Sequence, residues 1–561
     1  MEFWVHVVDT VLIFTILGLS LNLVLGFSGL ASMAHAAFFG LGAYAAALLS
    51  LHLGWPFPLN LVAAVLITAA VAAVAALPAL RVRGEYVILL TLALQMFAYG
   101  LMLSWVELTG GRTGLPGIPR PVLLGWKLVT PQDFLPLLLA AAAATFLVCR
   151  RIAGSPYGRV LKALREDEAA TTALGKSVLA FRVSLFAVSG GLAGAAGGLF
   201  AHYHAFINPF SFSLDQSIFL IAVVTLGGTA NLWGTAVGAL LFVGVPELLR
   251  FLYLQQDIVA PMRNLIFGLL LVAFMRFRPQ GIIPEYAGLE RRLAGLKAEA
   301  APVGELFRSA ARKLAATGLS RSFGGIQAVR AVDLELRPGE VVALVGPNGA
   351  GKTTVFNLLT GFLRPDAGRV YLNGEDITHL PPWQRARRGL VRTFQDVRVF
   401  QRMTVLDNVL VAVPNQSGEN LLALFFRPRR VAADEKAARA LAFGYLQFVG
   451  LADRAGVLAE SLSFGEQKLL ALARALAVRP MVILLDEPAS GVDPQWVERM
   501  LDLIRRLRDA GCTVGLVEHN LEAVRAVADR AYFLEAGQVV ASGHPEELIR
   551  DRRLAEIYFG V

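Results

Sequence analysis

Long apolar runs fill the first half of the chain, whereas short apolar runs separated by polar stretches fill the second half. A membrane-spanning helix needs about 20 mostly apolar residues, because the interior of a bilayer is about 30 Å thick. The first half therefore predicts an all-α polytopic membrane domain of about nine spans, with eight or ten as alternatives. The nine runs lie near residues 5–26, 28–50, 59–80, 85–106, 133–149, 181–204, 216–230, 232–254 and 261–277.

The second half alternates strand patterns with helical patterns, which is typical of an α/β domain. Buried strands are predicted at 341–345, 482–485 and 513–517. An Ala-, Arg- and Glu-rich stretch between the two halves predicts a helical linker. The predicted divisions are a membrane domain at 1–284, the linker at 285–317 and the α/β domain at 318–561.

Charged residues follow the same division. They make up 17% of the 561 residues, and 27 of them lie in the first 280 positions against 68 in the remaining 281. Lys and Arg of the first half lie between apolar runs, near 81–83, 150–182 and 276–278. Loops rich in Lys and Arg face the cytoplasm, so nine spans put the N-terminus outside and the α/β domain inside. This placement of the basic residues argues against a nucleic-acid partner.

Two further features narrow the class of protein. The two cysteines, Cys149 and Cys512, form neither a disulfide framework nor a metal cluster. The first nine residues lack the basic start of a cleavable signal peptide, so the first run is expected to remain as a membrane helix.

A glycine-rich loop follows the predicted strand at 341–345 and precedes a helical pattern. It reads Gly346-Pro347-Asn348-Gly349-Ala350-Gly351-Lys352-Thr353-Thr354, which is G-x-x-x-x-G-K-[ST] in the setting that this motif needs. Glycines let backbone N–H groups surround phosphates, and a helix N-terminus favours negative charge. Lys352 would reach the β- and γ-phosphates of ATP, and Thr353 would bind Mg²⁺.

A pair of carboxylates ends the predicted strand at 482–485. Asp486 would hold Mg²⁺ or its water shell, and Glu487 could activate the attacking water as a general base. An Asp-Glu pair after a strand is commonly structural, but the phosphate loop upstream favours the catalytic interpretation.

Three more elements follow the order of one family of ATPases. A helix opens with Ser463-Phe464-Gly465-Glu466-Gln467, Gln395 lies between the phosphate loop and that helix, and His519 follows the strand at 513–517. With these motifs, nearly all of 318–561 resembles the ABC ATPase family. The commonest form of the signature motif in that family has a second glycine where this chain has Phe464.

The resemblance implies a role for each matching residue. Residues 463–467 would be the signature that contacts the γ-phosphate bound by an opposing ATPase subunit, and His519 would be the switch histidine. Gln395 would sense nucleotide and permease and contribute to the Mg²⁺ site. The loop at 490–493 would link the two ATP sites, and Phe323 would stack on adenine.

The first half resembles the permeases that take up branched-chain amino acids. The matching segments are 26–44, 109–114, 226–228, 233–234 and 278–281. The resemblance implies uptake of leucine, isoleucine and valine across the cytoplasmic membrane by a natural fusion of two subunits that are usually separate. Urea or short-amide import is the first alternative. An exporter and a non-transporting, membrane-anchored ATPase are the others.

Polar residues inside the apolar runs are costly in hydrocarbon and usually face a cavity or a partner helix. They include Asn22, His35, Gln95 and Asn231. His35 is expected either to join helices or to line the permeation path. Residues 155–176 predict a short cytoplasmic helix, with Val160, Leu161 and Leu164 on one side, which in this family docks the permease on the ATPase.

The resemblance also implies partners. One chain supplies one phosphate loop and one signature, so a second permease and a second ATPase are needed, as different subunits in the favoured arrangement or as a second copy. An extracytoplasmic solute-binding protein would deliver the solute.

Overall fold

The computed structural model describes most of the chain in two compact units. The described residues are 2–79, 86–123, 125–249, 265, 268–269, 272–273, 276–278, 280–286, 301–302, 306–307, 312–550 and 554. The helical unit comprises Met1–Arg165 and Val178–Leu289, and the α/β unit comprises Glu166–Ser177 and Glu290–Val561. Most of the predicted linker at 285–317 lies outside the described residues, so the predicted domain boundaries stay predictions.

Apolar helices form most of the helical unit. Between residues 2 and 249 the helices are α1 (Glu2–Asn22), α2 (His35–Leu53), α3 (Phe57–Ala79), α4 (Tyr86–Ser104), α5 (Val106–Thr109), α6 (Pro131–Ala153), α7 (Pro156–Glu166), α8 (Glu168–Ala173), α9 (Val178–His204), α10 (Leu214–Gly227) and α11 (Leu232–Leu249). The short strands are β1 (Leu115–Pro116), β2 (Val122–Leu123), β3 (Trp126–Lys127) and β4 (Phe206–Ile207); β1 pairs with β4 and β2 with β3.

Six helices of the described residues are long and apolar enough to cross a membrane. They are α1 with its π-helical extension, α2, α3, α4, α6 and α9, while α10 and the described part of α11 are shorter apolar helices. The predicted ninth run at 261–277 and the basic loop at 81–83 lie largely or wholly outside the described residues. The helical membrane fold is thus confirmed, and the count of nine spans stays a prediction.

Helix α1 lies at the centre of the helical unit. It packs against α6, α9, α10 and α11, and its Ile16, Leu17, Leu19 and Leu21 are fully buried. After Asn22 it continues as a π-helical turn, Leu23–Phe27. Helices that are apolar on all sides fit this position, since no face needs to meet water.

The polar residues inside the apolar helices form hydrogen bonds to other parts of the helical unit. Asn22 donates to Thr235 Oγ1 at 2.7 Å and accepts from the Ala230 amide at 2.9 Å. His35, which is 1% exposed, pairs through Nε2 with Ser189 Oγ at 3.0 Å. Gln95 accepts from the Ala37 amide at 2.7 Å. These contacts favour helix packing over a path-lining role for His35.

Two sheets form the framework of the α/β unit. Its strands are β5 (Leu314–Phe323), β6 (Ile326–Leu336), β7 (Val341–Val345), β8 (Ala367–Leu372), β9 (Glu375–Asp376), β10 (Leu390–Arg392), β11 (Val482–Asp486), β12 (Thr513–Val517), β13 (Arg530–Glu535) and β14 (Gln538–Gly543). One sheet has the order β10-β11-β12-β7-β13-β14 and is parallel except for β14, and the antiparallel sheet has the order β6-β5-β8-β9.

Helices cover these sheets. They are α12 (Lys352–Thr360), α13 (Pro382–Arg387), α14 (Val405–Ala412), α15 (Leu421–Phe426), α16 (Pro428–Val449), α17 (Phe464–Ala477), α18 (Pro494–Asp509), α19 (Leu521–Val527) and α20 (Pro545–Arg550). Strands β7, β11 and β12 are buried at every position because they lie inside the sheet. They run parallel as neighbours, so the loops that follow them meet at one edge, where open α/β sheets bind ligands.

A short segment, 166–177, belongs to the α/β unit although the chain on both sides of it belongs to the helical unit. Here the structure has two helices, α7 and α8, instead of the single short helix predicted for 155–176. The chain turns at Asp167, whose backbone is extended and whose side-chain carboxylate caps α8 by accepting from the Ala170 amide at 2.8 Å. Val160, Leu161 and Leu164 of α7 are buried, as the helical pattern indicates.

Candidate nucleotide-binding site

The phosphate loop lies between β7 and α12. Gly346 has a φ of 150°, and a Cβ there would come within 2.1 Å of the Leu534 carbonyl oxygen. Gly351 has a φ of 101°, and a Cβ there would come within 2.5 Å of the Ala328 carbonyl oxygen. Both positions therefore need glycine for backbone conformation and for space.

The middle of this loop faces outward. Asn348 and Gly349 are exposed, Pro347 is half-buried and Ala350 is buried. A glycine-rich loop before a helix of nine residues is suited to bind phosphate through its backbone N–H groups.

Lys352 begins α12 and is held inside the loop. Its Nζ donates to the carbonyl oxygens of Gly346 at 2.8 Å and Pro347 at 2.9 Å. Burial lowers the pKa of Lys352, and the nearby carboxylates of Glu487 and Asp486 oppose that shift. The ammonium group is thus positioned at the loop that would carry the phosphates.

Asp486 ends β11 with one carboxylate oxygen paired and one free. Its Oδ2 accepts from Arg392 Nη2 at 3.0 Å, and both side chains are almost fully buried. Its Oδ1 is buried without a hydrogen-bond partner. Burial raises the pKa of Asp486, and the positive charge of Arg392 counteracts that effect. A buried, unsatisfied carboxylate oxygen suits a bound cation.

These residues fit Mg²⁺. Such an ion is usually held by one or two carboxylates together with phosphate oxygens and water. Beside Asp486, the sequence predicts the Thr353 hydroxyl, in the first turn of α12, and the amide oxygen of Gln395 as further ligands. The described residues contain no group of three or more His, Cys, Asp or Glu side chains that could hold a metal ion without phosphate.

The Glu487 carboxylate contacts both His519 and Gln395. Glu487 Oε1 lies 2.6 Å from His519 Nε2, and Glu487 Oε2 accepts from Gln395 Nε2 at 3.2 Å. The Glu487 backbone has a φ of 49°, and its amide donates to the Val517 carbonyl oxygen at 2.9 Å. A non-glycine residue in this region costs about 1–3 kcal/mol and occurs preferentially at functional sites.

The signature segment forms the start of α17. Ser463 caps this helix, because its hydroxyl accepts from the Glu466 amide while the Glu466 carboxylate accepts from the Ser463 amide. Gly465 lies under the Trp496 ring, where a Cβ would come within 2.7 Å. Phe464 is 50% exposed.

In the hydrogen bonds of the described residues, none connects 463–467 with 346–354. Gln467, the last residue of the motif, donates back to the Leu462 carbonyl oxygen at 3.0 Å.

Phe323 ends β5 in an open position. The side chain is 44% exposed, and the Arg321 guanidinium lies 5.2 Å from the ring centroid. Exposure of an aromatic face is what stacking on a base would need.

Two cations to which the sequence assigned no role, Arg392 and Lys468, contact the residues of this site. Arg392, at the end of β10, joins Asp486 to Asn357 of α12. Lys468 of α17 donates to the carbonyl oxygens of Glu487, at 3.0 Å, and Ser490. For Arg392, the sequence gave one indication of a role at the site, because this residue stands three positions before Gln395. Lys468 had none beyond its position directly after the signature.

Known families match both units. A model described as the permease component of branched-chain amino acid transport systems matches residues 5–275, and an ABC transporter model matches residues 329–490.

Individual relatives match the α/β unit. The high-affinity branched-chain amino acid transport ATP-binding proteins LivG of Escherichia coli and BraF of Pseudomonas aeruginosa are each 40% identical over 248 residues, which is 44% of this chain and 97% of theirs. The lipopolysaccharide export system ATP-binding protein LptB of Haemophilus influenzae is 36% identical over 247 residues, which is 44% of this chain and 97% of that protein. The chain therefore belongs to the ABC transporter family, as a fusion of a branched-chain amino acid-type permease domain with a nucleotide-binding domain that hydrolyses ATP to drive transport.

Proposed function

We propose that this chain imports branched-chain amino acids across the cytoplasmic membrane, with its α/β unit on the cytoplasmic side. The observation that carries the proposal is the match of 5–275 to the permease component of branched-chain amino acid systems. The likeness of the α/β unit to LivG and BraF, which serve the same solutes, supports it.

The alternatives differ in direction or in solute. The likeness to LptB, an export-system protein, concerns the ATPase alone. The permease match favours import and argues against a plain membrane anchor. Urea or short amides remain the alternative solutes, because the motifs of the helical unit do not separate them from amino acids.

We assign ATP binding to the phosphate loop at 346–354, with Lys352 on the phosphates and Phe323 on adenine. Glu487 accepts a proton from the attacking water, and His519 and Gln395 hold its two carboxylate oxygens in place. Thr353, Asp486 and Gln395 would hold Mg²⁺, which when bound neutralises charge on the phosphates. The contacts of Glu487 at 2.6 and 3.2 Å support these positioning roles.

We further propose that each ATP site is completed by a second ATPase subunit. No hydrogen bond of the described residues joins 463–467 to 346–354 within one chain, which supports a signature that acts on another subunit. A different permease and a different ATPase are the favoured partners, with a second copy of this chain as the alternative, and a solute-binding protein would deliver the amino acid.

Segment 166–177 would carry the motion of the ATPase to the membrane helices. Lys176 forms an ion pair with Glu419, Asp167 pairs with Arg398 at 3.2 Å, and the Gly175 carbonyl oxygen accepts from Arg387 at 2.8 Å. These contacts hold the segment within the α/β unit, while its two ends continue into α7 and α9.

The test is ATPase activity of the reconstituted complex with its solute-binding protein, measured against leucine, valine, urea and acetamide. Stimulation by leucine or valine alone is the expected result. Stimulation by urea or acetamide alone would move the solute to the neighbouring class, and loss of solute from preloaded vesicles on addition of ATP would reverse the direction.

A further inference from the structure

The aromatic ring of Phe464 lies beside a buried lysine. Phe464 and Lys468 are four residues apart at the start of α17, so both side chains lie on one face of that helix. Lys468 Nζ lies 5.4 Å from the centroid of the Phe464 ring, a distance at which an aromatic face attracts a cation. Lys468 is 7% exposed, whereas Phe464 is 50% exposed. The residue that departs from the commonest signature is thus in contact with a buried positive charge.

Both side chains contact the loop that follows β11. Lys468 Nζ donates to the carbonyl oxygens of Glu487, at 3.0 Å, and Ser490. The Phe464 ring reaches the same loop, since a Cβ at Gly491 would lie 3.5 Å from Phe464 Cε1. The first turn of α17 therefore contacts this loop at both of its ends, and one of those ends is the residue proposed as general base.

A buried carboxylate holds the same loop from the side of β12. Glu518 is 2% exposed; its Oε1 accepts from the Ala489 amide at 2.8 Å and its Oε2 from the His519 amide at 3.2 Å. Burial lowers the pKa of Lys468, and the negative charges of Glu518 and Glu487 oppose that shift. Buried polar networks of this kind rigidify the backbone that they contact. The signature helix, the loop at 487–491 and the start of the His519 loop are thus joined by one network.

We propose that Phe464 and Lys468 are positioning residues that connect the signature to the general base of the same chain. When the signature binds ATP on an opposing subunit, they fix the loop at 487–491 so that the Glu487 carboxylate faces the attacking water. A shift of the first turn of α17 passes directly to Glu487, because Lys468 bonds to the carbonyl oxygen of that residue. This proposal rests on the proposed roles of Glu487 and of the signature.

Matched variants remove each contact in turn. Lys468→Met keeps an unbranched side chain without its charge, Phe464→Ala removes the ring, and Phe464→Tyr keeps the ring. A small residue at 464 is compatible with a signature, since the commonest form has glycine there. The controls are Lys436→Met, an exposed position on α16, and Phe426→Ala, 80% exposed at the end of α15. ATP hydrolysis of the full complex, with its opposing ATPase subunit, gives kcat and KM for each variant.

Lys468→Met and Phe464→Ala should each lower kcat about 10- to 100-fold, because a small misplacement of a reacting group costs that much in rate. The KM for ATP should not change, because the phosphate loop is untouched. Phe464→Tyr and both controls should match the wild type. A wild-type kcat in Lys468→Met would overturn the proposal, and a wild-type kcat in Phe464→Ala alone would overturn the role of the ring.

A double-mutant cycle with Glu487→Gln separates positioning from a general structural effect. If Lys468 acts through Glu487, Lys468→Met should lower the residual hydrolysis of Glu487→Gln no further. Losses that multiply would show that Lys468 acts elsewhere, in folding or in the phosphate contact of the signature, and would overturn the proposal. Hydrogen-exchange protection of β11 and β12 should match the wild type in Lys468→Met, and lost protection would also overturn it.

The same cycle distinguishes this proposal from the one on which it rests. Near-normal hydrolysis by Glu487→Gln alone would overturn the assignment of the general base and this link together. A strong loss in Glu487→Gln, combined with a further loss when Lys468→Met is added, would leave the base in place and overturn the link alone.

Discussion

At the residue scale, the geometry of Glu487 predicts the effect of its removal. Glu487→Gln keeps the size of the side chain but cannot accept a proton from water, so steady-state ATP hydrolysis should fall about 10²- to 10⁴-fold. ATP affinity should persist, because the phosphate loop and Lys352 are unchanged. Phosphate release and nucleotide binding measure the two effects. Glu522→Gln, an exposed change in the first turn of α19, is the control. Near-normal hydrolysis by Glu487→Gln would exclude it as the general base.

The buried pair of Arg392 and Asp486 predicts a second effect, on stability. Arg392→Met leaves a buried carboxylate without its partner, which should cost about 3–5 kcal/mol. Arg508→Met breaks only ion pairs at the surface, with Asp509 and Asp529, which should cost less than about 1 kcal/mol. Hydrogen-exchange protection of β10 and β11 in the full chain reports the difference. Equal protection in both variants would contradict the structural importance of the pair.

Sequence motifs predicted candidate site residues but not all of their contacts. Asp486 and Glu487 could be predicted because they follow a strand, and His519 because it follows another. The ion pair of Arg392 with Asp486 depends on β10 lying beside β11. The order of strands in a sheet cannot be derived from the local pattern of apolar and polar residues.

At the scale of elements, ion pairs connect segment 166–177 with the rest of the α/β unit. Lys176 is 4% exposed and Glu419 is 15% exposed in their ion pair. Lys176→Glu or Glu419→Lys alone places like charges together, so each should reduce solute uptake per ATP hydrolysed. The double reversal should restore part of the coupling, with an interaction energy of about 0.5–3 kcal/mol.

The matched control reverses Asp502 and Arg506, an exposed pair one turn apart on α18 at 4.0 Å. It should change uptake little, singly or together, since exposed pairs contribute little. If the double reversal at Lys176 and Glu419 gave no more solute uptake per ATP hydrolysed than the single changes, this ion pair would not determine how hydrolysis is coupled to uptake.

The sequence predicted one short helix within 155–176, whereas the structure has two helices, α7 and α8, with a turn at Asp167 between them. Helical spacing identified the buried face of α7, because that signal is local. The turn at Asp167 depends on capping of α8 and on the contact of its carboxylate with Arg398 at 3.2 Å, which joins residues 231 positions apart. Contacts of that separation cannot be derived from local pattern.

At the scale of the whole molecule, composition alone distinguished the two parts of the chain. The change from 27 charged residues to 68 between the two halves matches the change from apolar helices to an α/β fold. The number of spans was harder to predict, because α10 has 14 residues. At 1.5 Å per residue such a helix is about 21 Å long, which is shorter than the apolar interior of a bilayer.

The assembly can be tested by mixing two inactive variants. Lys352→Ala disables the phosphate loop but keeps the signature, and Ser463→Ala disables the signature but keeps the phosphate loop. In a dimer of identical chains, random pairing would build one intact site in half of the dimers and restore about a quarter of the wild-type ATPase activity. We expect no restoration on mixing, and activity only when a different ATPase subunit supplies the opposing signature. Recovery in the mixture would instead establish that two copies of this chain complete each other's sites, and the solute path would then be lined by two identical helical units.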